Sequence, residues 1–189
     1  MKKDFGKKLI MAPLPVLIVA TYDENGTPNA MNVAWGGQCT DTNIALNLSK
    51  NHKTTENLRA KKAFTVSIAD EAHLVASDYF GIVSGKKENK IEKSGMKVEK
   101  SRFVDAPVIC DYPLTYECRV VSMEDCFGEV RVVGEVVNMQ ADASILDDKG
   151  KVDLSKLQPL SFDPSANTYR VIGETVGKAF NDGAQLKTK

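Results

Sequence analysis

Two stretches of this chain bring chemistry-bearing residue types together. One runs Ile44-Ala45-Leu46-Asn47-Leu48-Ser49 and continues through Lys50 and Asn51 into His52-Lys53-Thr54-Thr55-Glu56-Asn57-Leu58. It reads as a strand, a polar turn and a helix start. The leading amides of a helix have no partner within it, so a helix start collects anions. Thr54 and Thr55 add hydroxyls there, Lys53 adds a cation, and Ser49, Lys50 and Asn51 lie just ahead. That set suits a phosphate. The other stretch is Asn29-Ala30-Met31-Asn32-Val33-Ala34-Trp35, a strand with small residues beside one large indole. Its backbone can read the edge of a flat heteroaromatic ring. Ala30 and Ala34 permit close approach, and Trp35 can stack on the ring or wall it. A ligand with a dianionic phosphate, a polar chain and a planar tricycle fits both stretches, which points to flavin mononucleotide (FMN).

Each stretch also has a plainer reading. The first is then a capped surface helix with Lys50 and Lys53 solvated, and the second a barrel strand with Trp35 in the core. Asn29 and Asn32 resist that second reading, because buried amides need partners. The chain has no Gly-x-Gly-x-x-Gly and no Walker loop, so dinucleotide and nucleoside-triphosphate folds gain no support.

The elements that must position these residues read as follows. Pro15 to Tyr22 and Pro28 to Trp35 form a hairpin around Asp23-Glu24-Asn25-Gly26, with Asn-Gly supplying positive φ angles. Ile44 to Leu48 is a strand, Thr54 to Lys61 a short helix with Thr54 as N-cap, and Ala63 to Ile68 another strand. Glu71 to Phe80 looks helical. Lys86 to Lys93 reads as a solvated helix ending near Gly95. Leu114 to Met123 and Glu129 to Met139 alternate as a second long hairpin around Cys126-Phe127-Gly128. Tyr169 to Ile172 reads as a late strand and Gly177 to Gly183 as a short terminal helix. Many hairpin-joined strands with few helices predict a mainly β, antiparallel barrel in one domain spanning residues 1–189.

Composition narrows the function classes. Among 189 residues, 42% are hydrophobic, 26% are charged and the formal net charge is zero. No general basic surface exists for nucleic acid or membrane, and the expectation is that neither is a partner. Pro13 and Pro15 interrupt the only candidate signal segment, so a cytoplasmic protein is expected. Cys39, Cys110, Cys118 and Cys126 are widely spaced and read as free thiols, and with His52 and His73 they lack zinc-ligand spacing.

The order of several segments resembles the flavin reductase-like family, in its flavoredoxin-type subgroup. These are Asn29 through Gly36, Leu48-Ser49, His52-Lys53-Thr54, Phe64-Thr65-Val66-Ser67, Gly81-Ile82-Val83-Ser84-Gly85, Ala106-Pro107, Glu117-Cys118-Arg119-Val120, Val133-Gly134-Glu135-Val136 and Gly173 through Phe180. The resemblance implies an FMN-binding split β-barrel that forms a homodimer with FMN near the subunit interface. It implies that Asn32, Val33, Ala34 and Trp35 contact the ring, largely through backbone. Asn47, Leu48 and Ser49 would line the ribityl and phosphate path, and Lys53 and Thr54 would take the phosphate. The loop from Gly81 to Ser84 would close over the flavin, with Lys90 also at the site. His52 stands where many relatives carry arginine, and Asn89 where they carry aspartate.

Three functions remain open on these residues. One is a reductase passing electrons from NADH or NADPH through FMN to an unknown acceptor. Another is a non-enzymatic electron carrier with bound FMN. The last is a cofactor-free interaction or sensor protein. No Ser-His-Asp set or acid–base carboxylate pair stands out, which agrees with a cofactor carrying the chemistry.

Overall fold

The computed structural model describes residues 1–187. Its main sheet has seven antiparallel strands in the order β3-β2-β6-β9-β10-β5-β4. In chain order, β1 is Leu14–Pro15, β2 Leu17–Tyr22, β3 Pro28–Val33, β4 Gly36–Gln38, β5 Asn43–Leu48 and β6 Ala63–Ile68. After β7 (Val98–Lys100) and β8 (Pro107–Ile109) come the long strands β9 (Leu114–Cys126) and β10 (Glu129–Ala141), then β11 (Leu160–Asp163) and β12 (Thr168–Val171). Among the described residues the α-helices are α1 (Lys53–Lys61), α2 (Leu74–Ile82), α3 (Lys90–Ser94) and α4 (Leu154–Leu157). Two smaller sheets, β1-β11-β12 and β7-β8, flank the main one.

The sheet curls around Leu17, Val19, Leu46, Leu48, Phe64, Val66, Cys118, Val130 and Val132. The intervening residues of β2 face the other way. Val16, Ile18 and Ala20 join Ala30, Phe80, Ile91 and Ile109 in a second cluster beneath α2 and α3. With both faces buried, this segment reads as an unbroken apolar run rather than an alternation. The result is the mainly β split barrel expected from the hairpin pattern.

Four local expectations are corrected. In the first hairpin only Gly26 takes a positive φ, +81°, and the Asp23 carboxylate accepts from the amides of Asn25 and Thr27. The loop is therefore a three-residue turn. The turn with two positive φ angles is Phe127-Gly128, at +50° and +89°. Helix α1 starts at Lys53 with His52 in the N-cap position, so Thr54 lies inside the first turn. The charged run from Lys86 supplies only α3, and that helix buries Lys90. No helix spans Gly177 to Gly183, and a 3-10 turn at Asp182–Leu186 follows instead.

Candidate functional site

A cleft of about 300 Å³ opens where the start of α1 meets β3 and the C-terminal end of α2. Asn29, buried on β3, donates from Nδ2 to Thr54 Oγ1 at 2.9 Å and ties the strand to the helix start. The Thr55 hydroxyl donates to the Ser49 carbonyl at 2.7 Å and fixes the preceding turn. These two bonds explain why neither threonine caps the helix. A buried amide needs an acceptor, and Thr54 supplies it. His52 makes no side-chain cap, and among the described residues no side-chain hydrogen bond to the leading amides of the nine-residue α1 is found. A hydroxyl carries one donor and two acceptor positions. The Thr54 bond to Asn29 uses an acceptor position and leaves its proton for the cleft.

The opposite wall is α2 and the loop after it. Asn32 Nδ2 donates to the Ser77 carbonyl at 3.1 Å, and a Cβ on Gly81 would lie 3.3 Å from Asn32 Cβ. Tighter still is Gly85, where a Cβ would fall 2.0 Å from Asn29 Oδ1. Glycine is what lets this loop close on the strand.

The cations at the cleft are not equivalent. Lys53 lies 3.5 Å from Asp23, Lys50 lies 2.8 Å from Asp125, and Lys86 pairs with Glu56. Lys90 is 4% exposed, and its ammonium donates to the Phe80 carbonyl at 2.8 Å. Among the described residues no carboxylate lies within ion-pair distance of it. Burial lowers its pKa to about 8. A desolvated ammonium without a counter-charge is unfavourable unless an anion joins it. At the mouth, desolvation lowers the pKa of His52 and the Lys90 and Lys86 charges lower it further, against a raising effect from Glu129, so the imidazole is largely neutral at pH 7.

Of the predicted residues, Asn32, Lys53, Thr54, Ser84 and Lys90 line this cleft. The others do not. Val33 and Leu48 bury their side chains in the core. Asn47 is exposed and donates its backbone N–H to the Trp35 carbonyl at 2.8 Å. Ser49 and Ala34 are half-buried beside them. Trp35 is 65% exposed, so it is not a core residue. Sequence reasoning missed the pairing of Asn29 with Thr54 and the role of Gly85. The only signal for the first was a pair of amides, Asn29 and Asn32, on a strand of mostly apolar residues.

A buried cation, a hydroxyl and uncapped helix amides on one cleft form a donor set for a phosphorylated ligand. Residues 11–166 match the family described as the flavin reductase like domain. The chain belongs to this family. Its fold superposes on the flavoredoxin of Desulfovibrio vulgaris (Miyazaki F) with a TM-score of 0.92 and 34% identity, covering 97% of this chain and all of that one. A flavoredoxin from Methanosarcina acetivorans gives 0.90 and 27%, covering 98% and 99%. The fold is also that of nitrilotriacetate monooxygenase component B from Bacillus cereus, with a TM-score of 0.81 at 16% identity over 94% and 98% of the two chains. Among the described residues no helix is long and apolar enough to cross a membrane.

Proposed function

We propose that this flavin reductase-like protein binds FMN in the cleft between α1, β3 and α2, as an oxidoreductase taking electrons from NADH or NADPH to an acceptor. The observation that carries the reading is Lys90, a buried ammonium without a carboxylate, beside the Thr54 hydroxyl and the uncapped start of α1. These residues fit a phosphate in number, charge and donor type. When bound, FMN supplies the redox chemistry, so the protein needs no side-chain nucleophile.

The chain's own residues bind and orient. Lys90 supplies the uncompensated charge. Thr54 donates its free proton while Asn29 holds its oxygen. The leading amides of α1 add donors at the anion. Asn32 and Met31 extend the site along β3 toward the exposed Trp35, and the Gly81–Gly85 loop covers it from α2. In the same reading the protein works as a homodimer in the cytoplasm.

The test is an anaerobic absorbance spectrum of the FMN-loaded protein before and after NADH, then NADPH. Rapid bleaching of the flavin bands is the expected result. Flavin that bleaches only with dithionite would instead indicate an electron carrier. The likeness to two flavoredoxins favours that second reading. Protein that stays colourless after FMN addition would sink both.

Lys53→Ala combined with Thr54→Ala removes a cation and a hydroxyl donor from the phosphate end. Flavin fluorescence titration is expected to show about 10- to 30-fold weaker FMN binding, in line with charge-assisted hydrogen bonds. Unchanged affinity would remove the phosphate from this end of the cleft.

A further inference from the structure

The end of the barrel away from the phosphate cleft is open. Strand β5 starts there at Asn43 and ends at Leu48, just before the turn into α1. Every strand of the main sheet except β3 gives residues to a pocket of about 450 Å³ at this mouth. It shares no lining residue with the phosphate cleft. Leu17, Ile44, Val66, Ile68 and Val136 line it, and all five belong to the barrel core or pack against it. The sheet edge brings only Gly37 and Gln38 of β4, too little bulk to fill the space. An apolar barrel mouth with a few polar groups suits a small ligand.

The rim is held in place. The Thr40 and Thr42 hydroxyls both donate to Asn43 Oδ1, at 2.7 and 3.2 Å, and the Val136 amide donates to the Thr42 carbonyl at 2.8 Å. Two donors are left over. Among the described residues neither the Asn43 amide nitrogen nor the Tyr116 hydroxyl has a hydrogen-bond partner, and both residues line the pocket. Burial raises the pKa of Tyr116, which keeps its hydroxyl a neutral donor. Of the lining residues only Asp41 carries a charge at pH 7. An apolar wall selects an apolar body, and spare donors select oxygen acceptors on the ligand. A carboxylate at the rim with no cation beside it disfavours an anion.

We propose that this barrel mouth binds a small, uncharged, largely apolar carbonyl compound, held by the Tyr116 hydroxyl and the Asn43 amide. It is a second site, and it stands whether or not the flavin occupies the cleft proposed above.

The fluorescent ketone prodan is the probe, since it is uncharged and carries one carbonyl oxygen. Its emission should shift to the blue when the full chain is added, with one site per chain. FMN should not displace it, because the two sites share no residue. Tyr116→Phe keeps the wall and removes the hydroxyl, and it should weaken prodan binding about 3- to 10-fold, as for one neutral hydrogen bond. That change leaves no protein group unpaired, so the melting temperature should not fall. Val136→Phe fills the pocket and should abolish the shift. Anilinonaphthalene sulfonate, an anion, should bind roughly tenfold more weakly than prodan. Prodan that stays in water, is displaced by FMN, or binds Tyr116→Phe as tightly as the parent chain would overturn the proposal. So would tight binding to a folded Val136→Phe, and if that variant does not fold, Tyr116→Phe alone decides. Equal binding of the sulfonate would overturn the ligand class. Prodan binding that is lost as protein concentration rises would put a second copy in the mouth and overturn the site.

Discussion

Replacing Lys90 with methionine is expected to weaken FMN binding roughly 10- to 100-fold, as for loss of a hydrogen bond to a charged group, while stabilising the apo protein. The two effects have one cause. Lys90 is buried and among the described residues donates only to the Phe80 carbonyl, and its pKa is lowered to about 8. Folding therefore penalises its charged form. The penalty is full below pH 8. It fades between pH 8 and 10.5, where the unfolded chain still holds a proton that the folded one has released, so native stability rises across that window. Methionine keeps the length of the side chain without the charge. It should raise apo stability by about 1–2 kcal/mol at pH 7, since cleft water and the Phe80 carbonyl keep the penalty well short of full desolvation.

With FMN bound in the proposed site the sign is expected to reverse, because a phosphate there would supply the missing counter-charge and raise the pKa of Lys90. FMN affinity should then fall as pH rises above 8, by up to tenfold per unit, and should lose that dependence in Lys90→Met. His52, whose pKa is already lowered, is neutral through this range. Calorimetric melting without flavin and fluorescence titration from pH 7 to 10 test the two halves separately. A variant that is less stable in the apo form, or one with unchanged affinity, would remove Lys90 as the anion's partner.

The second large effect is expected at Gly85. Alanine there would place Cβ 2.0 Å from Asn29 Oδ1 and 3.0 Å from its Cγ. Asn29 is buried and anchored to Thr54, so it has little room to yield. Either the loop lifts from β3 or Asn29 swings and leaves the Thr54 pairing. Both open the cleft, and the change should cost about 1–3 kcal/mol of stability with at least tenfold weaker FMN binding. Asn29→Ala in the same chain removes the clashing atoms, so the double variant should be more stable than the sum of the two singles predicts. Strict additivity in urea unfolding would show that the two residues do not meet.

The sequence by itself determined the longer strands, the two hairpins and the polar turn that runs into α1. Hydrophobic period and turn residues are local signals, and they survive folding because the curled sheet needs one apolar face from each strand. Asn32, Lys53 and Thr54 were legible for the same reason, lying on or beside elements with clear local patterns, whereas Ser84 came only with the family likeness. Lys90 was legible only through family likeness. Its charged neighbourhood argues for a solvated helix, and Ile91 packing into the second core is what carries it inward. Trp35 went the other way. An indole on an apolar strand reads as a wall or a core residue, but β3 ends at Val33 and the chain turns outward before β4.

Tertiary structure alone decided which donors were committed. Asn29 and Thr54 are 25 residues apart, and Gly85 is further still from the strand it touches, so both contacts lie outside any local window. The site depends on which polar groups find partners within the chain and which do not. Such pairings follow from strand order and helix placement, and among the described residues they leave Lys90 without a carboxylate partner.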